Sequence, residues 1–240
     1  MKRILISLLI ISLGMVQLKG QEINTSVEKV YVVFKTHLDV GFTDLSSVVT
    51  QRYITEFIPK ALDVSEKLRA ENASEKYVWT TGAWLIWKYL HTASPKEVER
   101  LEAAIRRGDI VWNSVPYTVE SESMNRDLFE TCLLLSHKLD EKYGKKTIAA
   151  KMTDVPGHTR SIVAPMSRAG IRFLHIGVNP ACPIPGVPEF CRWRDTDGSE
   201  LILVYQQDYG SENILPGGKA VISINFTGDN HGPHPYEKVK

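Results

Sequence analysis

Val30-Tyr31-Val32-Val33-Phe34-Lys35-Thr36-His37-Leu38-Asp39 is the stretch on which the fold of this 240-residue chain turns. Its β-branched and aromatic start predicts a buried strand, because such side chains pack well on a pleated surface. His37 and Asp39 then fall at the carboxyl end of that strand. Residues two apart on an extended chain point to the same side, so an imidazole and a carboxylate converge. That pairing suits a borderline-soft divalent cation such as zinc. A second stretch of the same design runs from Ala149-Ala150-Lys151-Met152-Thr153-Asp154 into Val155-Pro156-Gly157-His158.

Outward from these two stretches, strand and helix signals alternate. The pattern predicts helix over 47–70, disturbed near Pro59, a strand over 77–79 and helix over 83–91. Ser94-Pro95-Lys96-Glu97 has the spacing of a capping box with proline at the first helical position, and it opens a helix over 96–107 that Gly108 should stop. A strand over 109–112, a helix over 127–143 and a strand over 147–152 follow. Next come helix 161–169 and strand 171–176. Asp195-Thr196-Asp197-Gly198 marks a hairpin between 190–194 and 201–205, and a last strand covers 220–226. Strand–helix alternation implies parallel crossovers, hence an open doubly wound sheet or an α/β barrel. In both, ligands bind beyond the carboxyl ends of the strands. Those ends here carry His37 and Asp39, Thr80 and Thr81, Asn113 and Ser114, Asp154, Asn179, and Asp229-Asn230-His231.

Composition narrows the class. Lys2 and Arg3, then an apolar run over 4–16, read as a secretory signal peptide over 1–20 that is too short to span a bilayer. The mature domain would be 21–240, exported to a periplasmic or extracellular site. Loss of the leader removes three cations and no acid, turning the formal charge from +1 to −2. A near-neutral chain argues against a nucleic-acid partner. No membrane span is predicted. Cys182 and Cys191 flank the proline-rich loop 183–188, where an exported protein would be able to close a disulfide; Cys132 reads as a buried thiol in a helix.

The two stretches also carry a resemblance. His37-Leu38-Asp39-Val40-Gly41-Phe42 looks like the His-x-Asp-x-Gly-Trp motif that opens the catalytic domain of family 38 glycoside hydrolases, the retaining α-mannosidases. Asp154-Val155-Pro156-Gly157-His158-Thr159 is similar to that family's Asp-Pro-Phe-Gly-His-Ser. Thr227-Gly228-Asp229-Asn230-His231 falls where the family has Gly-Asp/Ser-Asp-Phe, and Arg107-Gly108-Asp109-Ile110-Val111-Trp112 resembles its approach to a third strand. The likeness implies a seven-stranded α/β barrel shared with some sugar deacetylases, here incomplete at its C-terminus, as expected of the N-terminal portion of a larger enzyme or a truncated copy. It implies one zinc ion on His37, Asp39 and Asp154, gripping vicinal hydroxyls of a mannose-containing glycan. Asp154 would also be the nucleophile of a retaining mechanism, which needs a second acid about 5 Å away.

Departures from the family pattern shape the rest. The family's acid position holds Asn230, which cannot give and reclaim a proton and is expected instead as a substrate contact. Asp229 would replace it only if the backbone turns there, since strand neighbours face opposite ways. His231 or His234 is left to supply a fourth metal ligand. Phe42 stands for the family's Trp as an apolar substrate wall. From the residues alone, Trp112 and Trp79 near strand ends are candidates to stack on sugar faces, as is Trp193; Trp84 and Trp87 read as core. Glu120 and Glu122 are placed to meet substrate hydroxyls. His158 is placed to orient Asp154, while His91, His137 and His175 read as surface or structural. The expected activity is a metal-dependent retaining glycosidase of α-mannosidase type. The alternatives are a metal-dependent carbohydrate deacetylase on a related barrel and an inactive sugar-binding remnant.

Overall fold

A computed structural model describes residues 26–74 and 76–240; the leader expected over 1–20 lies outside them. Nine strands among the described residues form two sheets. In the first, β1 (Lys29–Lys35) lies between β2 (Trp79–Gly82) and β9 (Ala220–Asn225), with β3 (Ile110–Asn113) beyond β2 and β8 (Ser211–Ile214) beyond β9. In the second the order is β4 (Ala149–Asp154), β5 (Phe173–Val178), β7 (Glu200–Gln207) and β6 (Phe190–Arg194). β1 pairs in parallel with both neighbours, β2 with β3, β4 with β5 and β5 with β7. Among the described strands, only β6–β7 and β8–β9 pair antiparallel.

The expected seven-stranded barrel is corrected to this open arrangement. β3 and β4 are not paired strands; just beyond β3, Ser114 N–H donates to Ala149 O at 2.9 Å, a single bond where closure would need a ladder. The predicted carboxyl-terminal rim nonetheless exists, because both sheets send their parallel strands toward it. Between the sheets, Lys151 Nζ donates to Thr36 O at 3.0 Å.

Helices pack against both sheets, but the start of β1 is not buried as expected: Val30, Tyr31 and Val32 are exposed, and burial begins only toward Lys35. α1 (Ser46–Arg52) passes through a π-helical turn at Tyr53–Phe57 into α2 (Ile58–Ala70). The disturbance expected at Pro59 is that turn: Ile58 N–H reaches back to Tyr53 O, and Pro59, with no N–H to offer, sits at the start of α2 where none is needed. α3 (Ala83–Thr92) and α4 (Pro95–Arg107) follow. Ser94 and Glu97 form the capping box, and Gly108 closes α4 at φ 85°. α6 (Val163–Arg168) packs on β7 of the second sheet, and α5 (Arg126–Tyr143), capped by the Asn125 side chain, packs against α3 and α6 and sends Phe129 and Leu133 into the second core; α7 (Tyr236–Val239) is a single short turn. Tyr53, Ile58, Leu62, Trp79, Leu85 and Ile105 make the core under the first sheet. Met152, Val163, Met166, Leu174 and Ile176 make the core under the second. Each such side chain contributes about 1.5–3 kcal/mol on burial.

Three expectations change. Cys182 and Cys191 are both free thiols, so the proline-rich loop is not bridged. Cys132 is half-buried, and burial raises its thiol pKa. β8 was not expected: its four residues, Ser-Glu-Asn-Ile, carry no apolar run and become a strand by pairing with β9. No helix among the described residues is long and apolar enough to cross a membrane.

Candidate metal centre and active site

β1 delivers His37 just past its end, where the chain is still extended and pairs with Asp229 in an isolated parallel bridge. The ring is buried, 2% exposed, and held from behind by a 2.7 Å hydrogen bond between Nδ1 and Thr153 Oγ1. That leaves Nε2 facing forward, 3.2 Å from Asp39 Oδ1 and 3.9 Å from Asp229 Oδ1. One ligand atom from each of His37, Asp39 and Asp229 lies within 4.8 Å of the other two. An imidazole and two carboxylates at such spacing fit a divalent cation, with the second ring nitrogen fixed as a metal-binding His requires.

Asp229 reaches the cluster because the backbone turns. Gly228 (φ 124°) and Asn230 (φ 51°) both take left-handed conformations, so Asp229 faces the cluster while Asn230 turns under the loop after β1. Asn230 is 3% exposed; its Oδ1 accepts from Asp39 N–H at 2.9 Å, and its Nδ2 donates to Gly41 O at 3.1 Å and Thr43 Oγ1 at 2.9 Å. Asn230 is therefore a tie within the loop, not a substrate contact. His231 does not join the cluster: it is exposed and its Nδ1 lies 3.1 Å from Thr227 O. His234 packs edge-on against Phe34.

Asp154 ends β4 with φ 84°, a left-handed conformation costly for a non-glycine residue and characteristic of functional sites. Its Oδ1 accepts from Asn179 Nδ2 at 2.8 Å and from the Tyr209 hydroxyl. Oδ2 has no hydrogen-bond partner among the described residues. Burial opposes its ionisation, but the Tyr209 and Asn179 bonds and the nearby His37 together hold the carboxyl below its usual range. Tyr209 also stacks on His37, with ring centroids 4.5 Å apart, so one phenol links imidazole and carboxylate. Burial, then Asp154, pushes its own pKa up. Close approach permits this: a Cβ on Gly177 would lie 2.5 Å from Asp208 O and 3.2 Å from Tyr209 Cα. Asp154 is not one of the three clustered ligands, although it shares a cleft with two of them, His37 and Asp39.

The cleft, about 310 Å³, is lined by His37, Asp39, Phe42, Tyr117, Glu120 and Asp154 among others. Phe42 is 85% exposed there, as a wall would be. Trp112 is not: it is buried, and its Nε1 donates to Asp140 Oδ1 at 3.0 Å. Trp79 is core. Asn113 and Thr81 tie β2 to β3, Asn113 Nδ2 donating to Thr81 O at 3.2 Å. His158 contacts Ser121, with Nδ1 3.0 Å from Oγ, and has no bond to Asp154; its Nε2 is buried without a partner, and burial lowers its pKa to about 4. His91 and His137 lie on the surface, and His175 is fully internal. Tyr209 and Thr153 were not foreseen. The expected end of β7 at Tyr205 left Tyr209 four residues past the rim, whereas the strand runs to Gln207.

The architecture around this cleft occurs in known structures. An alpha-mannosidase from Enterococcus faecalis V583 superposes with a TM-score of 0.61 at 18% identity, over 74% of this chain and 20% of that one. A glycosyl hydrolase family 38 protein from Enterococcus faecalis gives 0.60 at 14% identity, over 83% of this chain and 23% of the other. The fold is similar to that of part of each of these two proteins. A 4-alpha-glucanotransferase from Thermococcus litoralis gives 0.52 at 11% identity, over 74% of this chain and 28% of that one. The chain thus spans about a fifth to a quarter of the two Enterococcus faecalis neighbours. No protein-family profile matches the sequence, and no curated protein matches it.

Proposed function

We propose that this chain is the nucleophile- and metal-bearing part of an exported, zinc-dependent retaining glycosidase acting on mannose-containing glycans. The observation that carries the reading is the clustering of His37, Asp39 and Asp229 beside a cleft that His37 and Asp39 share with a left-handed Asp154 whose carboxyl is held below its usual range, on a family 38-like fold. His37, Asp39 and Asp229 would hold the cation. When bound, such an ion offers a positive charge able to grip vicinal sugar hydroxyls. Asp154 then attacks the anomeric carbon through Oδ2 while Tyr209 and Asn179 fix Oδ1. Phe42 supplies an apolar wall for the sugar ring. Glu120, the remaining carboxylate lining the cleft, is assigned to protonate the leaving oxygen, since the Asn230 amide is fully engaged. The leader over 1–20 would direct export.

The test is the zinc-loaded chain with an aryl α-mannoside and a fluorinated mechanism-based mannoside. Zinc-dependent release of the phenol and a covalent label on Asp154, mapped by mass spectrometry, are expected. Absence of both sinks the reading. Acetate released from an acetylated sugar without glycosidic cleavage would instead indicate the deacetylase, which needs no glycosidic acid.

A further inference from the structure

The loop after β1 cannot hold itself in shape. Gly41 and Phe42 have φ of 116° and 59°, and within the loop the backbone makes only two tight turns, Gly41 N–H to Asp39 O at 2.9 Å and Thr43 N–H to Gly41 O at 2.8 Å. A left-handed phenylalanine costs on the order of 1–3 kcal/mol and persists only where its surroundings impose it. What imposes it here comes from far along the chain. Asn230 N–H donates to His37 O at 3.1 Å, and its side chain accepts from Asp39 and donates to Gly41 and Thr43 at the distances given above.

We infer that Asn230 is a positioning residue for the metal site, acting by setting the loop that carries Asp39 to His37. The inference rests on the metal reading of the proposed function. It also explains an amide where a family acid would be expected. The side chain must accept from the Asp39 N–H and donate to the Gly41 carbonyl at once. A carboxylate of the same length keeps the first bond and loses the second, placing an anion against a carbonyl oxygen in a buried site. The same left-handed turn that sends Asn230 under the loop presents Asp229 to the cluster. One residue therefore aligns two of the three ligands and reaches the third through its carbonyl.

The experiment compares wild type, Asn230→Asp and Asn230→Ala in the whole chain, with two readouts. Zinc affinity is measured by calorimetry, with the visible spectrum of the cobalt-loaded protein reporting ligand geometry. Exchange of the Asp39 amide hydrogen is measured without metal. Both variants are expected to bind zinc about 10–100-fold more weakly, with altered cobalt bands, as when outer-shell partners of a metal site are lost. Asn230→Ala should also expose the Asp39 amide to exchange. Either variant binding zinc within about twofold of wild type overturns the inference, even if its melting temperature falls, because a purely structural role would lower stability and spare affinity. If wild type binds no zinc, the metal reading fails, and exchange decides: faster Asp39 exchange in Asn230→Ala upholds the brace, and unchanged exchange ends it.

Discussion

The loop leaving β1 is fastened through its backbone, whereas the loop leaving β4 is fastened through the carboxylate it presents. In the first, Asn230 bonds to the backbone of Asp39 and Gly41 and leaves the Asp39 carboxylate free beside His37. In the second, Tyr209 and Asn179 take one oxygen of Asp154 and leave the other bare. The difference matches two kinds of work. A metal ligand needs its oxygen available at a fixed place. A nucleophile needs one oxygen aimed and its charge kept, and donors to the other oxygen do both.

The sharpest way to break this comparison is to remove a charge from each side. Asp229→Asn should weaken zinc binding by about 100-fold, as expected on losing a ligand from a small set, while Asp154→Asn should change it by less than about threefold and abolish covalent labelling. Calorimetry and mass spectrometry read both. Equal loss of zinc in Asp154→Asn would merge the two loops into one ligand set. A smaller effect is expected from Tyr209→Phe. A hydrogen bond to a charged group contributes about 1.5–3 kcal/mol, so kcat should fall about 10–100-fold. Because that bond helps hold Asp154 below its usual range, its removal raises the folded-state pKa, and the acidic limb of the pH–rate profile moves to higher pH. A limb that stays in place would show that Tyr209 does not set the charge of Asp154.

His158 gives the mildest test, on stability alone. Burial favours its neutral ring, moving the pKa from 6.5 to about 4 in the fold. The unfolded chain therefore takes up the proton first. This contribution is complete above about pH 6.5 and is lost as the pH falls toward about 4, amounting to on the order of 3 kcal/mol at most. Urea denaturation at pH 7 and at pH 4.5 should show that decline in wild type and a shallower one in His158→Gln. Equal slopes would remove His158 from the acid sensitivity.

Much of the architecture was legible because its signals are local. The apolar runs of β1 and β5, the capping box at Ser94 and the glycine stop at Gly108 depend on residues within one or two turns of each other. Pairs such as His37 and Asp39 were legible for the same reason, since strand pleat alone puts them on one side. β8 was hidden because its pairing with β9, not its own composition, makes it a strand. The barrel was over-read because closure depends on a ladder between β3 and β4 that strand order cannot announce. Trp112 and His231 were misplaced because a side chain's neighbours, Asp140 for one and the Thr227 carbonyl for the other, are set by packing.

By itself the sequence determined the alternation of elements, the rim on which polar residues gather and the chemistry available there: one imidazole, several carboxylates and a misfit amide. Only the tertiary structure decided which carboxylate faces the imidazole. That choice rests on the left-handed turn at Gly228 and Asn230, and on a side chain bonded to a loop nearly two hundred residues earlier in the chain. Backbone turns of that kind reverse the facing of adjacent residues, and no periodicity along the chain encodes them.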